Sequence, residues 1–152
     1  MKKGIWLLLF ASMVVFLIGC LIKGLENDKN QLLEVTDSND NVLSQTTDND
    51  IIEKLVKKEK IEQWMDIEKI PDGSQKLYTF HSYEQIENSN EISYGKEVLY
   101  KKAGNYYIES VDNNIDCAKI PHVAGNYLME FAQHKSQITN KEDIFSKWQK
   151  ED

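Results

Sequence analysis

Residues 97–110 read Glu97-Val98-Leu99-Tyr100-Lys101-Lys102-Ala103-Gly104-Asn105-Tyr106-Tyr107-Ile108-Glu109-Ser110. Two β-prone runs flank Ala103-Gly104-Asn105, a three-residue loop containing glycine, and this spacing predicts an antiparallel hairpin. Upstream, Leu77-Tyr78-Thr79-Phe80-His81-Ser82 predicts a further strand over residues 76–83, entered through the turn Pro71-Asp72-Gly73. Earlier still, residues 32–36 and 42–46 are β-prone and enclose Asp37-Ser38-Asn39-Asp40-Asn41. Those five side chains tolerate turn geometry or bond their own backbone, so residues 32–46 read as a second hairpin. Residues 61–67 read as a strand or an irregular extended piece, residues 84–93 as a polar loop, and residues 112–117 as turn-rich.

Three segments carry helical periodicity. Ile51, Ile52, Leu55 and Val56 share a face over residues 50–60, with Asp50 and Glu53 at capping-box spacing. The run Lys57-Lys58-Glu59-Lys60 then reads as that helix's solvated end. Val123, Tyr127 and Phe131 recur every four residues beside Ala124 and Leu128, predicting a helix over 121–134 with Pro121 in its first turn. Thr139 and Glu142 suggest a cap for a last helix over 140–150, whose Ile144, Phe145 and Trp148 lie together. Strands joined by hairpins outnumber helices. The expected fold is therefore α+β: a small, mainly antiparallel sheet of hairpins with two or three short helices packed on one face. Leu55, Val56, Tyr78, Phe80, Leu99, Ile108, Tyr127 and Phe131 are the expected core.

The whole chain has 152 residues, enough for one small domain, and a formal net charge of −7. Every basic residue is lysine. Hydrophobic residues make up 41% and charged residues 28%, which excludes wholesale disorder, a collagen-like repeat and a multi-span membrane protein. The acidic balance argues against a duplex-binding face, because phosphate contacts dominate nucleic-acid affinity.

The amino end reads as an address. Lys2 and Lys3 precede an uncharged run that ends Leu17-Ile18-Gly19-Cys20. A basic start stays cytoplasmic and directs the rest of the chain outward. This segment resembles the bacterial lipoprotein signal, whose lipobox ends in a small residue and then cysteine. The resemblance implies cleavage between Gly19 and Cys20 and a diacylglycerol on the Cys20 sulfur. It divides the chain into a signal peptide (1–19), a lipid anchor and tether (20–31) and one extracytoplasmic domain (32–152). Leu21 and Ile22 extend the uncharged run to 19 residues, Gly4 to Ile22. That is also long enough to cross a bilayer as an uncleaved anchor. Both readings hold the domain at the outer face of the cell membrane. The exported part also looks like small uncharacterised lipoproteins of Gram-positive bacteria, through its tether, its central strands and its Lys119-Ile120-Pro121…Tyr127-Leu128 segment; that likeness implies no activity.

Candidate chemistry is sparse. With Cys20 committed to lipid, Cys117 has no cysteine partner; it and His122 are a candidate nucleophile and base, against a buried thiol that acts as a small apolar group. His134 follows Glu130 at helical spacing, but no HExxH or CxxC motif accompanies the pair. Oxygen side chains at 37, 39 and 41, with Asp48 at the twelfth place, resemble the start of a calcium loop. Val42 stands where that loop requires glycine, so a polar hairpin turn is the simpler reading. Tyr106 and Tyr107 must point to opposite faces of a strand, which makes one of them a candidate exposed aromatic.

Cleavage before Cys20 would remove two lysines and leave 16 basic and 25 acidic side chains, a formal charge of −9. These readings lead to a monomeric, non-enzymatic module for a protein or peptide partner, taking no cofactor, metal or nucleic acid. A pointed alternative is an immunity or exclusion factor that captures a cationic peptide; an envelope hydrolase is a further one. The anchor chemistry is directly testable. Cys20→Ala should abolish metabolic labelling with palmitate and leave a larger, signal-bearing precursor, whereas equal label and migration would establish the spanning anchor.

Overall fold

The computed structural model describes residues 30–86, 89–111, 115–134, 136 and 138–149. The expected signal peptide, with Gly19 and Cys20, and nearly all of the expected tether fall outside the described residues. Within them, seven strands form one sheet: β1 (Gln31–Asp37), β2 (Val42–Thr46), β3 (Met65–Ile67), β4 (Gln75–Gln85), β5 (Ile92–Lys102), β6 (Asn105–Val111) and β7 (Ile115–Ile120). Their order is β2-β1-β4-β5-β6-β7-β3, and every neighbouring pair is antiparallel. Three helices accompany it: α1 (Asn49–Glu59), α2 (His122–Gln133) and α3 (Lys141–Trp148), with a 3-10 turn at Ile61–Gln63. The fold is α+β, as the hairpin pattern predicts.

The central hairpin turns more tightly than expected. Lys102 pairs with Asn105, so only Ala103 and Gly104 form the loop. Both have positive φ, 47° and 79°, the backbone of a primed two-residue turn whose twist matches its strands. Residues 84–93 are not all loop: Glu84 pairs with Ser93 and Gln85 with Ile92. Their polar side chains hid strand ends whose ladder bonds come from the backbone, which composition does not report.

Helix starts also shift. Asp48 caps α1, its Oδ1 accepting from the N–H groups of Asp50 (2.9 Å) and Ile51 (3.2 Å). Asn140 rather than Thr139 caps α3, accepting from the Glu142 N–H at 3.1 Å. Each cap is a short side chain poised over orphan N–H groups, and the chain offered several within two residues.

Leu33, Val35, Phe80, Leu99, Tyr106, Ile108 and Ile120 project from one face of the sheet, where α1 contributes Ile52 and Leu55. The α2 stripe is Ala124, Gly125, Leu128 and Ala132, while Val123 is 61% exposed and Tyr127 and Phe131 flank the core. Small residues let α2 approach closely, and the Tyr106 ring fills the space they leave. That ring meets His122 edge-on at 5.3 Å, and its hydroxyl donates to Asn126 Oδ1 at 2.8 Å.

Two helices therefore share one face, and α3 lies against the other. Past α2, Ser136 Oγ accepts from the backbone N–H of Gln45 (2.7 Å) and donates to its carbonyl (2.8 Å), covering the edge strand β2. The chain then crosses the edge, and α3 sets Phe145 against Tyr83 at 5.3 Å and buries Trp148. A sheet with apolar residues on both faces needs this second cover; Leu32 is 1% exposed and points away from α1 and α2.

Gly125 is required by that close approach. A Cβ there would overlap the Tyr106 ring. Gly125→Ala should destabilise the domain by about 1–3 kcal/mol through overpacking, although alanine is the better helix former. Urea unfolding of the domain checks both sign and size.

Candidate functional site

On α1, Ile52, Leu55 and Glu59 fall at i, i+3 and i+7, so they form one stripe facing the sheet. Glu59 is therefore not part of a solvated helix end. It is buried, at 4% exposure, in a position where the stripe calls for an apolar residue. The surrounding backbone holds it there. The next residue, Lys60, adopts left-handed backbone (φ 51°) and turns the chain sharply. The Trp64 indole N–H donates to the Glu59 carbonyl at 2.9 Å, satisfying one of the helix's terminal acceptors.

Beneath Glu59 lies a crevice between α1 and the sheet, with an inner volume of about 40 Å³. Leu33, Ile52, Leu55, Val56 and Phe80 form its walls. Glu97, also buried, projects into it from β5, and Ser82 and Gln31 add polar groups at its rim. Glu59 Oε2 is buried and accepts no hydrogen bond among the described residues. Burial raises the Glu59 carboxyl well above its ordinary range, and the nearby Glu97 carboxylate raises it further. The negative end of α1 acts in the same direction. Glu59 consequently holds its proton through much of the range in which surface carboxylates are charged.

The opposite face carries a third buried acid, whose two carboxylate oxygens both have partners. Glu34 Oε2 accepts from Gln45 Nε2 at 2.7 Å, and its Oε1 accepts from Lys141 Nζ at 3.0 Å. Lys141 also donates to the Tyr83 hydroxyl at 3.3 Å, and Gln45 Oε1 accepts from the Thr139 N–H at 2.8 Å. Burial lowers the Lys141 pKa, yet the bonds to Glu34 and Tyr83 outweigh it and raise the pKa overall. This network is satisfied and fastens α3 to the sheet. Beside it, His81 lies within 3.3 Å of Thr36 Oγ1 and 2.8 Å of the Tyr94 hydroxyl, and burial lowers its pKa.

The residues singled out from the sequence distribute differently. Cys117 is a buried free thiol on the α3 side of the sheet, and burial and then Glu109 raise its pKa. His122 sits at the start of α2, against Tyr106 on the other side. The two do not form a nucleophile and base. His134 is the extended C-cap of α2, which breaks its helical spacing with Glu130. At residues 37–41, Asp37 Oδ1 accepts from the N–H groups of Asn39 (2.8 Å) and Asn41 (2.9 Å), and Asn41 Nδ2 reaches Oδ2 at 3.0 Å. These bonds hold the Asp37 carboxyl below its usual range and close a polar hairpin turn. Among the described residues no group of three or more His, Cys, Asp or Glu is placed to hold a metal ion. Tyr106 and Tyr107 face opposite sides but are both buried; among the described residues Tyr94 is the exposed tyrosine, at 46%.

No protein-family model, curated protein or solved structure matches the chain.

The Glu59 environment has a stability consequence. A group whose folded pKa is raised contributes stability at acid pH and loses it as pH rises through that folded value. The loss begins near the ordinary glutamate value of 4.5, where the unfolded chain ionises first. Glu59→Gln removes this term, so its stability relative to wild type should improve from pH 5 to pH 8. The gain should reach about 1.4 kcal/mol for each pH unit crossed while folded Glu59 stays protonated. Urea titrations at the two pH values measure it.

Proposed function

We propose that this chain is a lipid-anchored, extracytoplasmic, non-enzymatic module that binds a protein or peptide ligand of cationic character. Cys20 carries the lipid and residues 20–31 form the tether. The observation that carries the binding reading is the crevice under α1: a narrow apolar cleft with two buried carboxyl groups, one of which has an oxygen, Glu59 Oε2, with no hydrogen-bond partner among the described residues. Such a combination of apolar walls and a few convergent polar groups is the general form of a ligand site. Among the described residues no helix is long and apolar enough to cross a membrane, so in this reading attachment falls to the amino-terminal segment.

The acidic excess supports the ligand's sign. Exposed negative charge steers cations and accelerates their encounter, and it is screened once the Debye length shrinks to about 8 Å at physiological ionic strength. An acidic domain is also repelled by anionic headgroups, so it stands off the membrane with its surface open to solutes.

Residues 24–152 should bind cationic peptides, with affinity falling steeply between low ionic strength and about 0.15 M salt, and should not bind duplex DNA. Charge attraction alone predicts the same salt trend. The deciding comparison is between natural cationic peptides, chosen by crosslinking in intact cells, and scrambled versions of equal charge. Preference for the native order supports a receptor; equal binding removes the reading.

A further inference from the structure

We propose that the crevice is a receptor for one primary alkylammonium group on a short unbranched aliphatic stem, such as the end of a lysine side chain, with Glu59 as its counter-ion and Glu97 as a second acceptor. This rests on the binding reading above and names the chemistry of its ligand.

The geometry selects this class. Leu33, Ile52, Leu55, Val56 and Phe80 make a dry wall suited to methylenes, and the carboxylates lie together at one part of it. Glu59 is at 4% exposure and its Oε2 accepts nothing from the described residues, so a hydrogen-bond donor is what the site lacks. An ammonium offers three donors from a compact point charge, matching the two carboxylates and the Ser82 hydroxyl. A guanidinium spreads its charge over a rigid plane with its donors in a fixed fork, which a cleft closed between a helix and a sheet accommodates less readily than a compact ammonium. A hard divalent ion needs six or more oxygen ligands, which apolar walls do not supply.

The proton balance depends on the state of the empty crevice. Glu97 is the ionisable group bearing on Glu59 across it, and with burial it keeps Glu59 protonated. When the ammonium enters, the Glu59 carboxyl releases its proton to solvent and the carboxylate accepts an N–H from the ligand. One positive charge enters and one proton leaves. Affinity should therefore rise with pH, by up to about tenfold per unit, for as long as the empty site holds its proton.

The test is calorimetric titration of the full chain in phosphatidylcholine nanodiscs with n-butylammonium chloride, at pH 5 to 8 and fixed ionic strength, with empty nanodiscs as blank. Repeating it in buffers of different ionisation enthalpy counts the protons released. Saturable binding that strengthens with pH and releases up to one proton is expected, with n-butanol binding at least tenfold more weakly. Glu59→Gln is the isostere of the neutral acid; it should fold, weaken binding at least tenfold at pH 8 and abolish proton release. Equal binding of butanol, no saturable binding of butylammonium up to 10 mM (about the weakest affinity for one small-ligand contact set), or unchanged binding by Glu59→Gln overturns the proposal. Should that variant not fold, Glu97→Gln decides: weaker binding supports the site and unchanged binding overturns it. Glu59-dependent butylammonium binding beside equal binding of scrambled and natural peptides would uphold the crevice and reject the peptide receptor. Sequence-selective peptide binding untouched by Glu59→Gln would do the reverse.

Discussion

In the β4–β5 ladder Phe80 stands opposite Glu97 and Tyr78 opposite Leu99. These are the longest strands, eleven residues each, and they lie in the middle of the sheet order. Strand side chains alternate, so a slip of one residue would turn Phe80 and Leu99 outward and bring Thr79 and Val98 under α1 and α2. The observed register aligns Leu33, Val35, Phe80, Leu99 and Ile108 across four strands. The same register obliges Glu97 to point toward the helices, two residues from Leu99 on the same face. An acid in the core is thus a consequence of the pairing that builds the core. Its presence then makes a second acid at Glu59 costly, unless that one stays neutral or finds a cation.

Much of this architecture was legible. The hairpins around residues 37–41 and 103–104, the strand through Phe80 and the three helices all follow from alternation, turn residues and 3.6-residue periodicity. Leu55, Phe80, Leu99 and Ile108 are in the buried cluster, and Tyr78, Tyr127 and Phe131 pack against it. The features that stayed hidden depend on long-range pairing. Nothing local says that β3, only Met65–Ile67, joins the far edge beside β7 rather than its sequence neighbours. Nor does it say that the chain after α2 rounds the β2 edge through Ser136, which places α3 on the second face. Tyr107 is buried although it points to the face opposite α1 and α2.

Glu59 is the most instructive residue missed. Its signal was present, since Ile52, Leu55, Val56 and Glu59 follow the spacing of an apolar stripe. The composition of Lys57-Lys58-Glu59-Lys60 masks that stripe, because its first two lysines do face solvent. Periodicity was the better guide, because the helical face is set by the stripe and not by the composition of the last turn. Glu34 shows the same lesson with a different outcome. It alternates correctly for a residue opposite the core face, yet it is buried because α3 arrives there. Lys141 and Gln45, distant in sequence, supply hydrogen-bond partners to both of its carboxylate oxygens. Glu34 is satisfied and structural; Glu59 keeps a buried oxygen without a partner among the described residues and faces a crevice.

The two kinds of negative charge in this chain have different physical effects. Exposed carboxylates attract any cation and are weakened by salt, so they influence how often ligands arrive and say little about which one stays. A carboxyl group buried in an apolar-walled crevice is shielded from salt and reached only by a group narrow enough to enter and able to donate. Position along the chain joins the two. Gln31, which lines the crevice and begins β1, is the last residue of the expected tether. With Cys20 lipidated, the eleven peptide units from Cys20 to Gln31 reach at most about 40 Å, so this end of the sheet is confined near the bilayer. Cationic solutes concentrate at the anionic membrane surface within about a Debye length. On the proposed reading, a tether of this reach lets the crevice sample the margin of that layer, while the domain's own acidity keeps it from lying flat on the lipid. The proposed anchor then sets where the domain meets a ligand, the acidic surface sets how often, and the buried acid pair sets which cation is retained.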